Sequence, residues 1–231
     1  MIYFAHRGAS ARAVQNTVGS FDAARRIGAT HYELDVHLLR DGALAVHHDY
    51  SLLSTTGKDV LLKNLTAEDL KNYPLINRFG PEQVFVPALE TVLETILPGL
   101  EVVNIEIKND DNCYPGIEKV LLNTLQRNTR INFQKMLFSS FDYKTLVRLR
   151  NLNKNARIGL LTRSFAVSEA LSLQAESVHM NQTRFTPDIA DVCHKNNLKL
   201  FLYTVNDSAT AKRLEESGAD GIFTDKIDLF V

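Results

Sequence analysis

A chain of 231 residues, 45% hydrophobic and 23% charged, has the composition of an ordinary globular protein that can bury one large core. Its formal net charge of −1 leaves no argument for nucleic acid or an anionic membrane as a bulk partner. Cys113 and Cys193 lie far apart and form no CxxC or Cys/His spacing, which excludes a thiolate metal site and reads as two reduced thiols. Ile2 to Ala5 is too short for a signal or a span, so the expected location is the cytoplasm, with no stable membrane association.

Ile2 to Ala5 reads as a short apolar strand ending at His6-Arg7-Gly8. Asn16 or Thr17 caps a helix with Val18, Phe21 and Ala24 at inward spacing and Gly28 as its stop. From Tyr32 to Leu39 apolar and polar residues alternate, the period of a strand. Tyr32, Leu34, Val36 and Leu38 share one face; Glu33, Asp35 and His37 share the other. Asp41-Gly42 then reads as a two-residue hairpin loop before Leu44 to His48. That loop sets His48 opposite Asp35, on the polar face, and His47 opposite Val36, toward packed side chains.

Residues 50–86 are more mixed, with one short helix begun by Thr66 (Thr66-x-x-Asp69) and turns at Pro74 and Gly80-Pro81. An insert of this length is usually functional or a lid. Ala88 to Leu97 is helical, and Val102 to Lys108 alternates again as a strand. Strand and capped helix then repeat. The strands are Gln134 to Ser139, Ile158 to Leu161, Val178 to Met180, Leu198 to Thr204 and Gly221 to Thr224. The helices open at Pro115, at Asp142, near Ser164, near Thr186-Pro187 and at Asp207, the last with Gly218 as its stop. This alternation predicts a parallel sheet, and eight strand–helix units predict a TIM-type (β/α)8 barrel with 44–48 as an added hairpin arm. A doubly wound open sheet is the alternative, but no GxGxxG follows the first strand. The expected organisation is one barrel domain over 1–231 with a small insertion, about 50–86, after the hairpin.

In such a barrel the apolar faces of Tyr32–Val36 and Val103–Ile107 meet helices. Glu33, Asp35, Asn104, Glu106 and Lys108 then point inward, where an unpaired charge is prohibitive. Three carboxylates converging there call for a cation, and oxygen-only ligands suit Mg²⁺ or Ca²⁺ better than zinc. His6-Arg7 stands where barrel strands present active sites, and Arg7 offers a planar fork for phosphate or carboxylate. Lys108 offers a second cation, or else a salt bridge to Glu106. A divalent ion, an arginine, a lysine and two histidines together describe phosphoryl-ester hydrolysis.

The ordered series His6-Arg7-Gly8, Asn16-Thr17, Glu33-x-Asp35, Asp41-Gly42, His48-Asp49, Ser54-Thr55-Thr56-Gly57, Val86-Pro87-Ala88-Leu89-Glu90, Asn104-Ile105-Glu106-Ile107-Lys108, Ser140-Phe141, Thr204-Val205-Asn206 and Gly218 to Asp225 resembles the motifs of glycerophosphodiester phosphodiesterases across essentially the whole chain. The resemblance implies a TIM-type barrel enzyme, a phosphoric diester hydrolase. It would cleave small glycerophosphodiesters, such as glycerophosphocholine or glycerophosphoethanolamine, to glycerol 3-phosphate and an alcohol. By position it implies Glu33, Asp35 and Glu106 as ligands of a divalent cation and His6 and His48 as the acid–base pair. Arg7 and Lys108 would hold the phosphate, and Tyr203 would stand at the pocket rim. Attack by water and attack by the glycerol 2-hydroxyl, through a cyclic phosphate, are both open.

Three positions depart from the family pattern: Gln15 stands where a glutamate is usual, Tyr203 where a tryptophan is common, and Ile227 where a proline is common. Gln15 removes a negative charge near the ion, and it alone favours a second reading, a barrel that binds phosphodiesters without turnover. A third reading, a lysophospholipase D-like enzyme, needs an apolar rim. The insert offers only Leu61, Leu62, Leu75, Ile76 and Phe79, expected to pack as a small lid.

Overall fold

In the computed structural model, which describes residues 1–165 and 167–231, β1 (Ile2–His6) pairs in parallel with β2 (His31–Leu38) on one side and with β9 (Gly221–Thr224) on the other. Between them run β4 (Val102–Ile107), β5 (Met136–Ser140), β6 (Arg157–Thr162), β7 (Ser177–Asn181) and β8 (Lys199–Tyr203), each parallel to its neighbours. The ring closes into the TIM-type barrel that the alternation predicts, and β3 (Leu44–Val46) hangs antiparallel on β2 as the added arm.

Local chemistry explains the outer layer. Helix α1 (Val18–Ile27) starts at Thr17, whose hydroxyl accepts from the Ser20 amide in a capping box, and ends at Gly28 in the left-handed conformation. Its buried face is Ser20, Phe21 and Ala24. Val18, expected to point inward, is exposed, because at about 100° per residue it lies more than 100° around the helix from the centre of the Ser20, Phe21 and Ala24 face. Helix α5 (Tyr143–Leu152) is capped by Asp142, α7 (Pro187–Lys195) has proline in its first turn, and α8 (Ser208–Glu216) is capped by Asp207. Helix α3 (Leu89–Ile96), α4 (Ile117–Arg127) and the short α6 (Val167–Ser172) complete the layer.

The strands carry two kinds of core. Tyr32, Leu34, Val36, Val103, Ile105 and Ile107 are fully buried in the large cluster shared with the helices. Inside the barrel, Phe4, Leu137, Phe201 and Phe223 form a separate plug, with Phe4 stacked on Phe223 at 4.8 Å between ring centroids. This plug leaves only the opposite end of the barrel for polar groups, the end where parallel strands finish.

The hairpin differs from the two-residue turn. Val36 pairs with Val46, His37 with Ala45 and Leu38 with Leu44. The loop is therefore Arg40-Asp41-Gly42, with the Gly42 amide bonded to the Leu39 carbonyl and the Leu39 amide to the Ala43 carbonyl. Only Gly42 has positive φ, at 88°. A type I turn followed by one left-handed glycine needs three residues, and the Asp41 carboxylate stabilises it by accepting from the Ala43 amide. The register shifts by one, and the His47 amide now bonds to the Asp35 carbonyl.

Between β3 and α3 the insertion contains α2 (Leu53–Thr56) and two short 3-10 turns, Leu62–Asn64 and Asp69–Asn72. Thr66 and Asp69 exchange side-chain-to-amide bonds at 3.1 and 2.8 Å, the reciprocal cap that the sequence signals. Leu52, Leu62, Leu65, Leu70 and Leu75 bury with Leu39 and Ala45 in a satellite core beneath it. Of the apolar residues expected to pack there, Leu61, Ile76 and Phe79 are instead exposed.

Candidate active site

Strand register builds the site in rows. His6 lies beside Glu33, and Glu33 beside Asn104; one step along, Asp35 lies beside Glu106, and Glu106 beside Ser139. All face the barrel interior, because their neighbours Tyr32, Leu34, Ile105 and Ile107 take the helix side. Glu33, Asp35 and Glu106 each bring a carboxylate oxygen within 4.8 Å of the other two.

The electrostatics of this cluster are lopsided. Burial, reinforced by the charge of Asp35, holds the Glu33 carboxyl well above its ordinary range. Burial lifts Glu106 to about 7, with Lys108 opposing and Asp35 adding to the rise. Asp35 is equally buried, but Lys108 and Arg7 outweigh the desolvation and hold its carboxyl far below the usual range. The Lys108 ammonium lies 2.5 Å from Glu106 and 2.9 Å from Asp35, so it forms the salt bridge weighed against phosphate binding. Arg7 Nε stands 3.3 Å from Asp35, without the alignment of a hydrogen bond, and Asn16 Nδ2 donates to the same carboxylate at 2.7 Å.

The donor set fits a hard cation. Asp35 Oδ1 is buried, and its polar neighbour is the Lys108 ammonium at 2.9 Å. Asn104 donates to Ser139 at 3.0 Å, which leaves its buried Oδ1 without a donor. An orphaned amide oxygen beside three carboxylates, two of them pushed toward the neutral form, suits a divalent ion.

Both histidines have one nitrogen committed and one open. His6 Nδ1 lies 2.7 Å from Asp225, and His48 Nδ1 lies 2.6 Å from Asp49. A carboxylate can only accept, so each Nδ1 carries the proton and each Nε2 is left as a lone pair. The His6 Nε2 stands 4.0 Å from Glu33. Burial lowers the pKa of both rings, against the opposing pull of Asp225 on His6 and of Asp35 on His48. Asp225 is itself held to about 2, burial being outweighed by the hydrogen bond from His6, and it also accepts from Asn206 and Ser10.

His47 has a different environment despite pairing beside Asp35. The ladder ends at Val46, so strand parity does not extend through His47 and His48. His47 donates from Nδ1 to the Asp49 carbonyl and accepts at Nε2 from Thr55, which ties it to the insertion. The chain bends at His48 and delivers that ring to the cavity. Behind it, buried His37 donates from Nε2 to the His48 carbonyl and accepts from the Tyr114 hydroxyl.

His6, Arg7, Glu33, His48, Glu106 and Tyr203 line one cavity of about 230 Å³ at the end of the barrel. Asp35 and Lys108 are buried and do not line it. Tyr203, at the end of β8, donates to the Thr162 carbonyl and meets Phe141 edge-on. Arg7 takes a φ of 59°, and Gly8 follows at 81°, where an added Cβ would lie 2.5 Å from Ser20 Oγ. This tight turn lets the Arg7 amide reach a Glu33 carboxylate oxygen at 3.0 Å. Gln15 accepts from Arg7 Nη1 at 2.7 Å and stands outside the carboxylate set.

Several groups around the site were given no role from sequence. Asp225 and Asn206 sit within the quoted motifs, but the pairing of Asp225 with His6 joins strands far apart in the chain; Asp49 and Ser54 pair locally, beside His48. Asn16, a capping candidate from its sequence, instead donates to Asp35. His179, packed against Phe201 and Phe223 on the cavity floor, was legible from parity alone, since Val178 and Met180 take the outer face.

The family model described as the glycerophosphoryl diester phosphodiesterase family matches residues 6–229. A glycerophosphodiester phosphodiesterase of Caldanaerobacter subterraneus subsp. tengcongensis is 34% identical over 230 residues, covering 97% of this chain and 93% of that one. One from Bacillus altitudinis is 34% identical over 233 residues, covering 96% and 93%. Among solved structures, an Oleispira antarctica phosphodiesterase in complex with its product sn-glycerol-3-phosphate superposes with a TM-score of 0.89 at 26% identity, over 99% of this chain and 94% of that one. With a matching barrel and a family match over nearly its whole length, the chain belongs to the glycerophosphoryl diester phosphodiesterase family and is an enzyme of that family.

Proposed function

We propose that the protein hydrolyses small glycerophosphodiesters to glycerol 3-phosphate and an alcohol, using a divalent cation and a pair of histidines. The observation that carries this reading is two imidazoles, each with Nδ1 held by a carboxylate and Nε2 open, on the wall of one cavity with Arg7 and two acidic residues. The product held by the Oleispira antarctica relative is consistent with it.

Glu33, Asp35 and Glu106 would hold the cation, Mg²⁺ or Ca²⁺, which when bound supplies positive charge beside the phosphate and stabilises its developing negative charge. Arg7, fixed by Gln15 and Asp35, presents its guanidinium to the phosphate, and Lys108 adds a second positive charge from behind the carboxylates. One open Nε2 accepts the proton of the attacking oxygen. The other histidine, protonated, delivers its Nε2 proton to the leaving alcohol. Asp225 and Asp49 hold both rings in the tautomer this requires. Tyr203, which lines the cavity, would border the substrate. The free thiols of Cys113 and Cys193 fit a reducing, cytoplasmic setting, and among the described residues no helix is long and apolar enough to cross a membrane.

The test is coupled detection of glycerol 3-phosphate from glycerophosphoglycerol and glycerophosphocholine, with and without EDTA. Release that EDTA abolishes and Mg²⁺ or Ca²⁺ restores is the expected result. Full activity in metal-free buffer would overturn the cation assignment, and no release under any condition would overturn the activity itself.

A further inference from the structure

His6 and Arg7 line a second cavity, an open groove of about 560 Å³ on their outer side. Val14 and Gln15 form one wall, and Ile76, Arg78 and Phe79 of the insertion form the other. Lys226 stands at its edge. Ile76 and Phe79 are 52% and 53% exposed, which is unusual for large apolar side chains that have a satellite core beside them.

The charge of this groove is one-sided. Arg7, Arg78 and Lys226 face it, against one carboxylate, Asp225, which is already bound by His6, Asn206 and Ser10. Arg78 and Lys226 are exposed and make no ion pair among the described residues; the nearby Asp228 is taken by Arg12. Gln15 is neutral and adds no carboxylate beside Arg7, whose ion pair is with Asp35 inside the barrel.

We propose that this groove receives the leaving alcohol, and that it favours phosphodiesters whose leaving alcohol carries a further negative charge over those with a cationic one. The inference rests on the proposed phosphodiester hydrolysis. A glycerophosphodiester has one constant half and one variable half, joined at the phosphate. The smaller cavity at the barrel's end is walled mostly by strand residues, among them Glu33, Glu106 and His179, and suits the constant glycerol phosphate. The open groove meets it at His6 and Arg7, the residues that would flank the phosphate, and so takes the variable half. A quaternary ammonium there would face the cations of Arg78 and Lys226 and one exposed ring instead of an aromatic cage. An anionic group would meet Arg78 and Lys226, while Ile76 and Phe79 cover the carbon chain between.

The test compares kcat/KM per scissile bond for three probes. Glycerophosphocholine has a cationic leaving alcohol, glycerophosphoglycerol a neutral one, and 1,3-bis(glycerophospho)glycerol one bearing a second phosphodiester. Two exposed cations predict that the anionic probe exceeds the cationic one by roughly three- to thirtyfold, a ratio that shrinks as salt is raised. The double variant Arg78→Glu/Lys226→Glu should invert the ratio. Arg78→Gln/Lys226→Gln, a milder change should the first not fold, should bring it toward one. A parent ratio of one or below, or a ratio that neither double variant moves, overturns the subsite and leaves the hydrolase reading standing. Absence of glycerol 3-phosphate from all three probes overturns both.

Discussion

Asp225 accepts from His6 at 2.7 Å and is the main influence that opposes the lowering of that imidazole's pKa by burial. Removing its charge must therefore lower the His6 pKa further, because the imidazolium loses its stabilising partner while the neutral ring keeps a hydrogen bond. Asp225→Asn is expected to cut turnover about ten- to hundredfold, the range for an outer partner of a functional side chain. It should also displace one limb of the pH–rate profile to lower pH. Displacement of the alkaline limb would mark His6 as the acid, and of the acid limb as the base; a profile that keeps both limbs in place would exclude His6 from proton transfer. At this scale the sequence was partly legible. Glu33, Asp35 and Glu106 were readable because period-two alternation fixes a strand residue's face. The partnership of His6 and Asp225 was not, because it joins positions 219 residues apart.

The hairpin teaches the same lesson at the scale of an element. Its existence and its inward-facing carboxylates follow from alternation and Asp41-Gly42. Its register depends on whether the loop holds two residues or three, and Asp-Gly serves both kinds of turn. Pairing alone would have exchanged the surroundings of His47 and His48. The exchange does not occur, because the ladder stops at Val46 and the chain turns toward the insertion. His48→Ala is therefore expected to lose on the order of a hundredfold or more in turnover, the scale of a general acid or base. His47→Ala should cost about 1–3 kcal/mol of stability by leaving Thr55 and the Asp49 carbonyl unpaired, with turnover changed less than tenfold. Kinetics and urea unfolding of both variants decide it, and the opposite pattern would reverse the two roles. The insertion was the least legible element. Its short turns and exposed apolar residues have no periodicity, and what holds it is a satellite core shared with Leu39 and Ala45.

For the whole molecule, the cation proposed between β2 and β4 links metal content to stability and pH. Glu106 is lifted to about 7 from an ordinary value of 4.5. Between those values the folded chain binds more protons than the unfolded one, so without metal this group costs stability as pH rises from about 4.5 to about 7. Bound Mg²⁺ or Ca²⁺ would reverse that cost by favouring the ionised form. The increase in Tm on adding the ion to EDTA-treated protein should accordingly grow from pH 5 to pH 8, as scanning calorimetry would read; an increment that is flat or falls with pH would count against the site. The barrel itself was legible as a whole, because eight alternating strand and helix signals admit few topologies. Its closure has a further consequence for the newly made protein. β1 sits in a seam between β2 and β9, so the first strand of the barrel waits for the last before the ring can shut. A nascent chain emerging from the ribosome holds Glu33, Asp35 and Glu106 early, but until residue 225 follows, His6 has no carboxylate to orient it. Under the proposed mechanism, a chain cut short in translation is a fragment with the makings of a metal site and no competent acid–base pair. On that mechanism, the order of synthesis would keep unfinished copies from cutting phosphodiesters.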